Sequence, residues 1–364
     1  MATLSEYKCP ACGGPLHFDS ETQKMKCDYC GSSFATEDLT VSTTGETGSS
    51  LDEEMHDQIA WSAGQTQEWN PDELSGMAEY VCRSCGGIIL TDKTTAASSC
   101  PYCGNQIVMN DNVSGSLKPD LVIPFQLDKE QAKEAFRKHL KGKKLLPKVF
   151  TSENHIDEIK GVYVPFWLYD ADVEAQARYE AETTRIIENN GIKTEEKKTF
   201  DVSRTGTMSF RNIPVDASTK ADDEMMESVE PFDIGKAVPF QPSYLAGYFA
   251  DRYDVGVEDC RARAVERLKE SASGMLRESL KEYDSKQEKQ SCIRMQNTTE
   301  KYVLYPVWLM VTTWNNTKYT FAMNGQTGKF VGNLPEDKAV YYRELAVRTL
   351  LIGAAAAACL FFLL

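Results

Sequence analysis

Apolar and polar positions change rhythm several times along the chain, and each change predicts a different kind of element. Short apolar triplets, Leu16-His17-Phe18 and Ile88-Ile89-Leu90, sit inside small glycine-punctuated segments and predict short strands. Asp120-Leu121-Val122-Ile123-Pro124-Phe125 predicts a strand closed by proline. Asp128 then suits a helix N-cap, and Ala132, Ala135, Phe136 and Leu140 recur at helical spacing before Gly142. Further on, Tyr163-Val164-Pro165-Phe166-Trp167-Leu168 and Tyr305-Pro306-Val307-Trp308-Leu309 are β-rich apolar runs that align when Pro165 is set on Pro306.

Each of these runs leads into more strand-like sequence. Ala175 to Thr184 and Thr199 to Arg204 flank a polar turn at Asn189-Asn190-Gly191, and Tyr319 to Met323 and Lys329 to Val331 flank a loop from Asn324 to Gly328. Two related antiparallel sheet modules follow from this pattern, with the paired Trp residues in their core. Between them, Val265, Leu268, Ala272, Met275, Leu276, Leu280 and Tyr283 form a stripe at spacings of three and four, a helix that should lie across a sheet. Pro231, Pro239 and Pro242 predict irregular structure before it.

The last residues differ from all of this. Thr349 to Leu364 carries no charge and includes five consecutive alanines before Cys359 and Leu360-Phe361-Phe362-Leu363-Leu364. Counted back to Leu345, the run predicts a transmembrane helix. Lys338, Arg343 and Arg348 on its N-terminal flank orient a large cytoplasmic N-terminal domain in a single-pass protein of the cell membrane.

Cysteine spacing supplies the chemistry. Of the eleven cysteines, eight form two groups, Cys9, Cys12, Cys27, Cys30 and Cys82, Cys85, Cys100, Cys103, each member of the second 73 positions after its counterpart. Both read C-x2-C-x14-C-x2-C. The same register carries Tyr7 onto Tyr80, Gly13-Gly14 onto Gly86-Gly87 and Tyr29 onto Tyr102, so a whole small domain is repeated. Two thiolates three positions apart on a tight turn bind one cation at about 2.3 Å, and two such turns complete a tetrahedron. Each unit is therefore a zinc ribbon, with two structural Zn2+ per chain. Disulfides need an oxidising compartment, and Met1 to Tyr7 is polar with no apolar segment after it. Cys260, Cys292 and Cys359 stand alone and read as ordinary buried or membrane thiols.

Charge narrows the partners. The chain carries 54 Asp and Glu against 40 Lys and Arg, a net charge of −14, which disfavours nucleic acid as the main ligand. Neither ribbon is basic. Thr36 to Glu79 holds eleven acidic residues and no Lys or Arg, and predicts a flexible acidic linker in which Trp61 and Trp69 dock on the body or, as the alternative, contact a partner. Only Arg137, Lys138, Lys141, Lys143, Lys144 and Lys148 form a basic run, suited to a helix C-terminus or to an anionic surface. No G-x-x-x-x-G-K-[ST] or G-x-S-x-G motif occurs, and His17, His56, His139 and His155 show no ligand spacing.

The expected architecture is α+β: ribbon 1 over 1–35, the linker over 36–79, ribbon 2 over 80–110, an α+β body over 111–344 and the membrane helix over 345–364. Cys100 to Asn105, Pro119 to Phe125, Lys144 to Lys148, Gly161 to Trp167 and Asn324 to Gly328, with the terminal apolar run, resemble uncharacterised bacterial membrane proteins, chiefly of Firmicutes, described as having a zinc ribbon like that of transcription factor IIB. The resemblance implies zinc on the eight cysteines and a membrane segment, and no activity. The function expected is a binding or scaffold module with structural zinc and a protein partner. Nucleic-acid binding through the ribbons or the 137–148 run, and an enzyme site in the β body, are the alternatives.

Overall fold

The computed structural model describes residues 9, 14–19, 22, 24–35, 57–62, 67–95, 97–110, 117–143, 145–152, 156, 158–189 and 192–363. Among them the chain is mixed α/β, built on one large sheet with five helices. The strands are β1 (Leu16–Asp19), β2 (Lys24–Cys27), β3 (Ser33–Ala35), β4 (Gln58–Ile59), β5 (Met77–Val81), β6 (Ile88–Asp92), β7 (Val108–Asn110), β8 (Leu121–Val122), β9 (Lys160–Asn189), β10 (Ile192–Asp216), β11 (Val238–Pro239), β12 (Phe249–Asp251), β13 (Ser285–Trp314), β14 (Thr317–Asn324) and β15 (Phe330–Gly332). The helices are α1 (Pro71–Ser75), α2 (Lys129–Leu140), α3 (Asp223–Val229), α4 (Val257–Glu278) and α5 (Lys338–Leu363).

Three very long strands form the spine. Antiparallel β9 lies between β10 and β13, paired with one from Phe166 to Asn189 and with the other from Lys160 to Glu182. The aligned runs meet here: Tyr163 is opposite Pro306 and Val162 opposite Val307, so the two segments expected in separate modules are cross-strand neighbours in one sheet. Their pattern is unalternating because both faces of this part of β9 are covered, from Gly161 to Tyr169.

Beyond Tyr169 the burial of β9 alternates. Ala171, Val173, Ala175, Ala177, Tyr179 and Ala181 are buried on the face that meets α4. Alanines on this row let the helix backbone come close. Three aromatics of the same row bond to the helix and the residues leading into it: Trp167 Nε1 donates to the Val255 carbonyl at 3.0 Å, Tyr169 Oη to that of Val257 at 2.8 Å, and Tyr179 Oη to that of Ser273 at 3.3 Å. From the helix side, Leu268, Ala272, Met275 and Leu276 fill the interface. This is the stripe the sequence predicts as far as Leu276; its last members, Leu280 and Tyr283, lie beyond the helix, which ends at Glu278.

On the opposite end, α2 starts at an Asp128 capping box, in which the carboxylate accepts from the Gln131 amide at 2.8 Å. Its Phe136 packs with Phe150, Phe321 and Trp308 beside β14 and β15. Phe125, Tyr163, Tyr248 and Trp308 form an aromatic cluster, with Phe125 and Tyr248 stacked at 4.3 Å between ring centres. Trp61 and Trp69 do dock: Trp61 meets Tyr169 edge-on at 5.6 Å under the Arg261 guanidinium, and Trp69 meets Phe240 at 5.7 Å. Residues 36–56 and 63–66 of the expected linker lie outside the described residues.

The membrane reading of 345–364 is corrected. No helix among the described residues is long and apolar enough to cross a membrane. The helix that ends the chain begins at Lys338, and Lys338, Arg343, Glu344 and Arg348 occupy its first half, Arg348 paired with Glu344 at 3.2 Å. The single-pass, cell-membrane assignment falls with it.

Candidate metal centres

Both ribbons join the spine sheet, which positions their sulfurs. In ribbon 1, β1, β2 and β3 form an antiparallel sheet, and β3 continues onto β10 through Phe34 opposite Met208. In ribbon 2, β5 lies between β6 and β7, and β6 pairs with β12, which runs parallel to β9 where β10 has stopped.

The cysteine turns share one construction. The Gly31 amide donates to the Cys27 carbonyl at 2.9 Å, Gly86 to Cys82 at 2.8 Å and Gly104 to Cys100 at 3.0 Å. Each of these glycines has φ between 74° and 78°, a left-handed conformation that a side chain disfavours. The first cysteine of each turn closes it from the other side: Cys27 donates to Ser32, Cys82 to Gly87 and Cys100 to Asn105, at 2.7 to 2.9 Å. Two sulfurs are thereby held on one side of each turn.

In the second group, Cys82, Cys85, Cys100 and Cys103 place all four Sγ atoms within 4.8 Å of one another. Cys82 and Cys103 are 3.4 Å apart, and Cys85 and Cys100 are 3.7 Å apart. A tetrahedron with Zn–S bonds of 2.3 Å has edges of about 3.8 Å, whereas a disulfide needs about 2.05 Å. The spacing fits a shared zinc ion and excludes bridges between these sulfurs. In the first group, Cys9, Cys27 and Cys30 converge in the same way, with Cys9 and Cys30 Sγ atoms 3.7 Å apart. Cys12, the expected fourth ligand, lies outside the described residues.

Burial pushes the Cys100 thiol well above its ordinary range and raises Cys85. Burial opposes ionisation at Cys103 too, yet the Asn105 amide and the neighbouring sulfurs bring it down to about 7. Four thiols this close together, two of them buried and two half-buried, cannot all ionise side by side without a cation among them, so metal entry must displace protons. With four sulfurs committed, no coordination position stays open, which suits structural zinc and not a catalytic ion.

The surrounding contacts were not legible from cysteine spacing. At the first centre, Asn212 Nδ2 donates to the Cys30 carbonyl at 2.7 Å, and the Arg211 amide donates to Ser32 Oγ, which lies 3.2 Å from Cys30 Sγ. Arg211 and Asn212 form a bulge in β10, with Asn212 at φ 53°. At the second, the Tyr102 amide points at Cys100 Sγ at 3.4 Å and Asn105 Nδ2 at Cys103 Sγ at 3.5 Å. Of the isolated cysteines, Cys260 is buried and its thiol is pushed up to about 12, chiefly by burial, which makes it inert.

Residues 8–38 match a family model described as Trm112p-like protein. Over 332 residues, 91% of this chain and 90% of the other, the sequence is 34% identical to the uncharacterized protein YdjG of Bacillus subtilis (strain 168). No solved structure matches. The Trm112p-like match and the two cysteine clusters together suggest structural zinc.

Proposed function

We propose, for a chain that belongs to the family of the Bacillus subtilis protein YdjG, a non-catalytic binding module whose two zinc ribbons present a rigid surface to a protein partner. The observation that carries this reading is the closed set of four sulfurs at Cys82, Cys85, Cys100 and Cys103. Such a centre activates no water and polarises no substrate; what it supplies is shape. That shape is continuous with the body, because β3 and β6 carry each ribbon into the spine sheet. A net charge of −14 favours a basic protein surface over nucleic acid.

Affinity capture with the full chain tests the reading, run beside a C82S/C100S variant that cannot hold the second ion. A partner recovered with the native chain and lost with the variant is the expected result. Recovery of the chain alone, repeatedly, overturns it.

A further inference from the structure

A zinc ion with four thiolates carries a net charge of about −2, and burying such a charge is costly unless a cation lies close. Lys160, the first residue of β9, meets that need at the second centre. Its ammonium donates to the Ser99 carbonyl at 3.0 Å and to the Ser99 hydroxyl, and reaches the Cys100 carbonyl at 3.4 Å. All of these acceptors belong to the turn that delivers the third and fourth sulfurs. Its charge also acts on Cys100 and Cys103. Glu158 and Lys129 are the other charges felt at Lys160, one attracting and one repelling.

We infer that Lys160 is a positioning residue for the second metal centre: it fixes the Ser99–Cys103 turn and offsets the charge of the zinc–thiolate group, which slows loss of the ion. The inference rests on zinc occupying Cys82, Cys85, Cys100 and Cys103. A lysine on the sheet thereby ties metal retention in ribbon 2 to its seating against the body.

The test is release of zinc from the purified full chain to excess chelator, followed with a metal-sensitive dye. C100S, which leaves only the first centre, identifies the phase that belongs to the second. K160M keeps the aliphatic stem and removes the charge. It should lose zinc from the second centre about 10- to 100-fold faster and leave the other phase unchanged, as expected for removing an outer-shell partner. K160R should restore slow release, and E158Q, which removes the competing carboxylate, should release no faster than the native chain.

Native-like release from K160M overturns the inference. So does an equal acceleration of both phases with loss of circular dichroism, which marks a general folding defect. A native chain that binds no zinc at the second centre overturns the zinc reading itself, a result visible before any lysine variant is made.

Discussion

The Tyr102 phenol donates to Oδ2 of Asp251 at 2.8 Å, across 149 positions of sequence. Tyr102 stands between the third and fourth sulfurs of ribbon 2, and Asp251 ends β12, the strand that joins this ribbon to the spine. Ser218 donates its hydroxyl to the same oxygen. The carboxyl is completely buried, and that burial pushes it up to about 7, although the two hydroxyls favour its ionised form. Ribbon and body therefore meet over an acid that is easily kept protonated.

A pH effect follows, and its sign can be worked out. An unfolded Asp titrates near about 3.9. Between roughly pH 4 and 7 the folded protein keeps a proton that the unfolded chain has released. The contribution of Asp251 is thus fully present below about pH 4 and lost as pH rises through about 7, a total of about 4 kcal/mol. Zinc thiolates contribute with the opposite sign, so the useful quantity is the difference between proteins. The stability of D251N relative to the native chain should increase with pH between about 4 and 7 and then level off. Urea unfolding of both proteins with saturating zinc measures it, and a flat difference curve contradicts the assignment.

Metal content is the second prediction. The native chain should carry about two zinc ions, and C27S, C82S or C100S about one. C12S should behave like C27S. Zinc should leave as pH falls, since each thiolate must be reprotonated. Elemental analysis after gel filtration decides these points, and iron, or no metal, in the native protein contradicts them.

Glycine substitutions separate two kinds of constraint. A Cβ at Gly325 lies 2.8 Å from the Pro306 carbonyl oxygen and 2.7 Å from the Phe125 ring, and the backbone oxygen cannot move aside. G325A should cost about 3 kcal/mol or more, at the upper end of overpacking. Gly86 meets nothing within 4 Å but has φ 74°, so G86A should cost only about 1–2 kcal/mol of left-handed strain. Thermal unfolding of the zinc-loaded proteins ranks the two; equal effects, or the reverse order, refute the argument.

What the sequence discloses and what it hides divides along physical lines. Cysteine spacing, the Asp128 cap and the α4 stripe are local signals, and they mark real elements; the expected turn at Asn189-Asn190-Gly191 falls on residues 190 and 191, outside the described residues. The pairing of Tyr163 with Pro306 is not local. An apolar run covered on both faces has no alternation to show which strand lies beside it. Lys160, Asp251 and Arg267 read as ordinary charges in the sequence, because only the tertiary fold buries Asp251 and half-buries the other two. The terminal apolar run misleads for a related reason. Its composition suggests a bilayer, but the helix that contains it starts with charged residues, and no helix among the described residues is long and apolar enough to cross one.

The buried pair of Arg267 and Glu230 gives the last prediction. Arg267 on α4 holds the carboxylate with two bonds, at 3.2 and 2.9 Å, and its Nη1 also donates to the Pro214 carbonyl. Glu230 is 5% exposed, and burial raises its carboxyl despite the guanidinium. The Lys329 ammonium bonds to the Glu230 carbonyl and acts on the carboxylate from a distance. R267M leaves that carboxylate buried without its bidentate partner and should cost about 3–5 kcal/mol. The cost should shrink toward acid pH, where the abandoned carboxyl takes up a proton, because a raised acid loses stability as pH rises. In R267M/E230Q the ionic requirement is gone from both sides, so the double variant should be more stable than the sum of its parts by about 2 kcal/mol. Urea unfolding at about pH 5 and 8 measures all three variants. Additive effects, or an R267M cost that grows in acid, would show that this pair is not what anchors α4 to the end of the sheet.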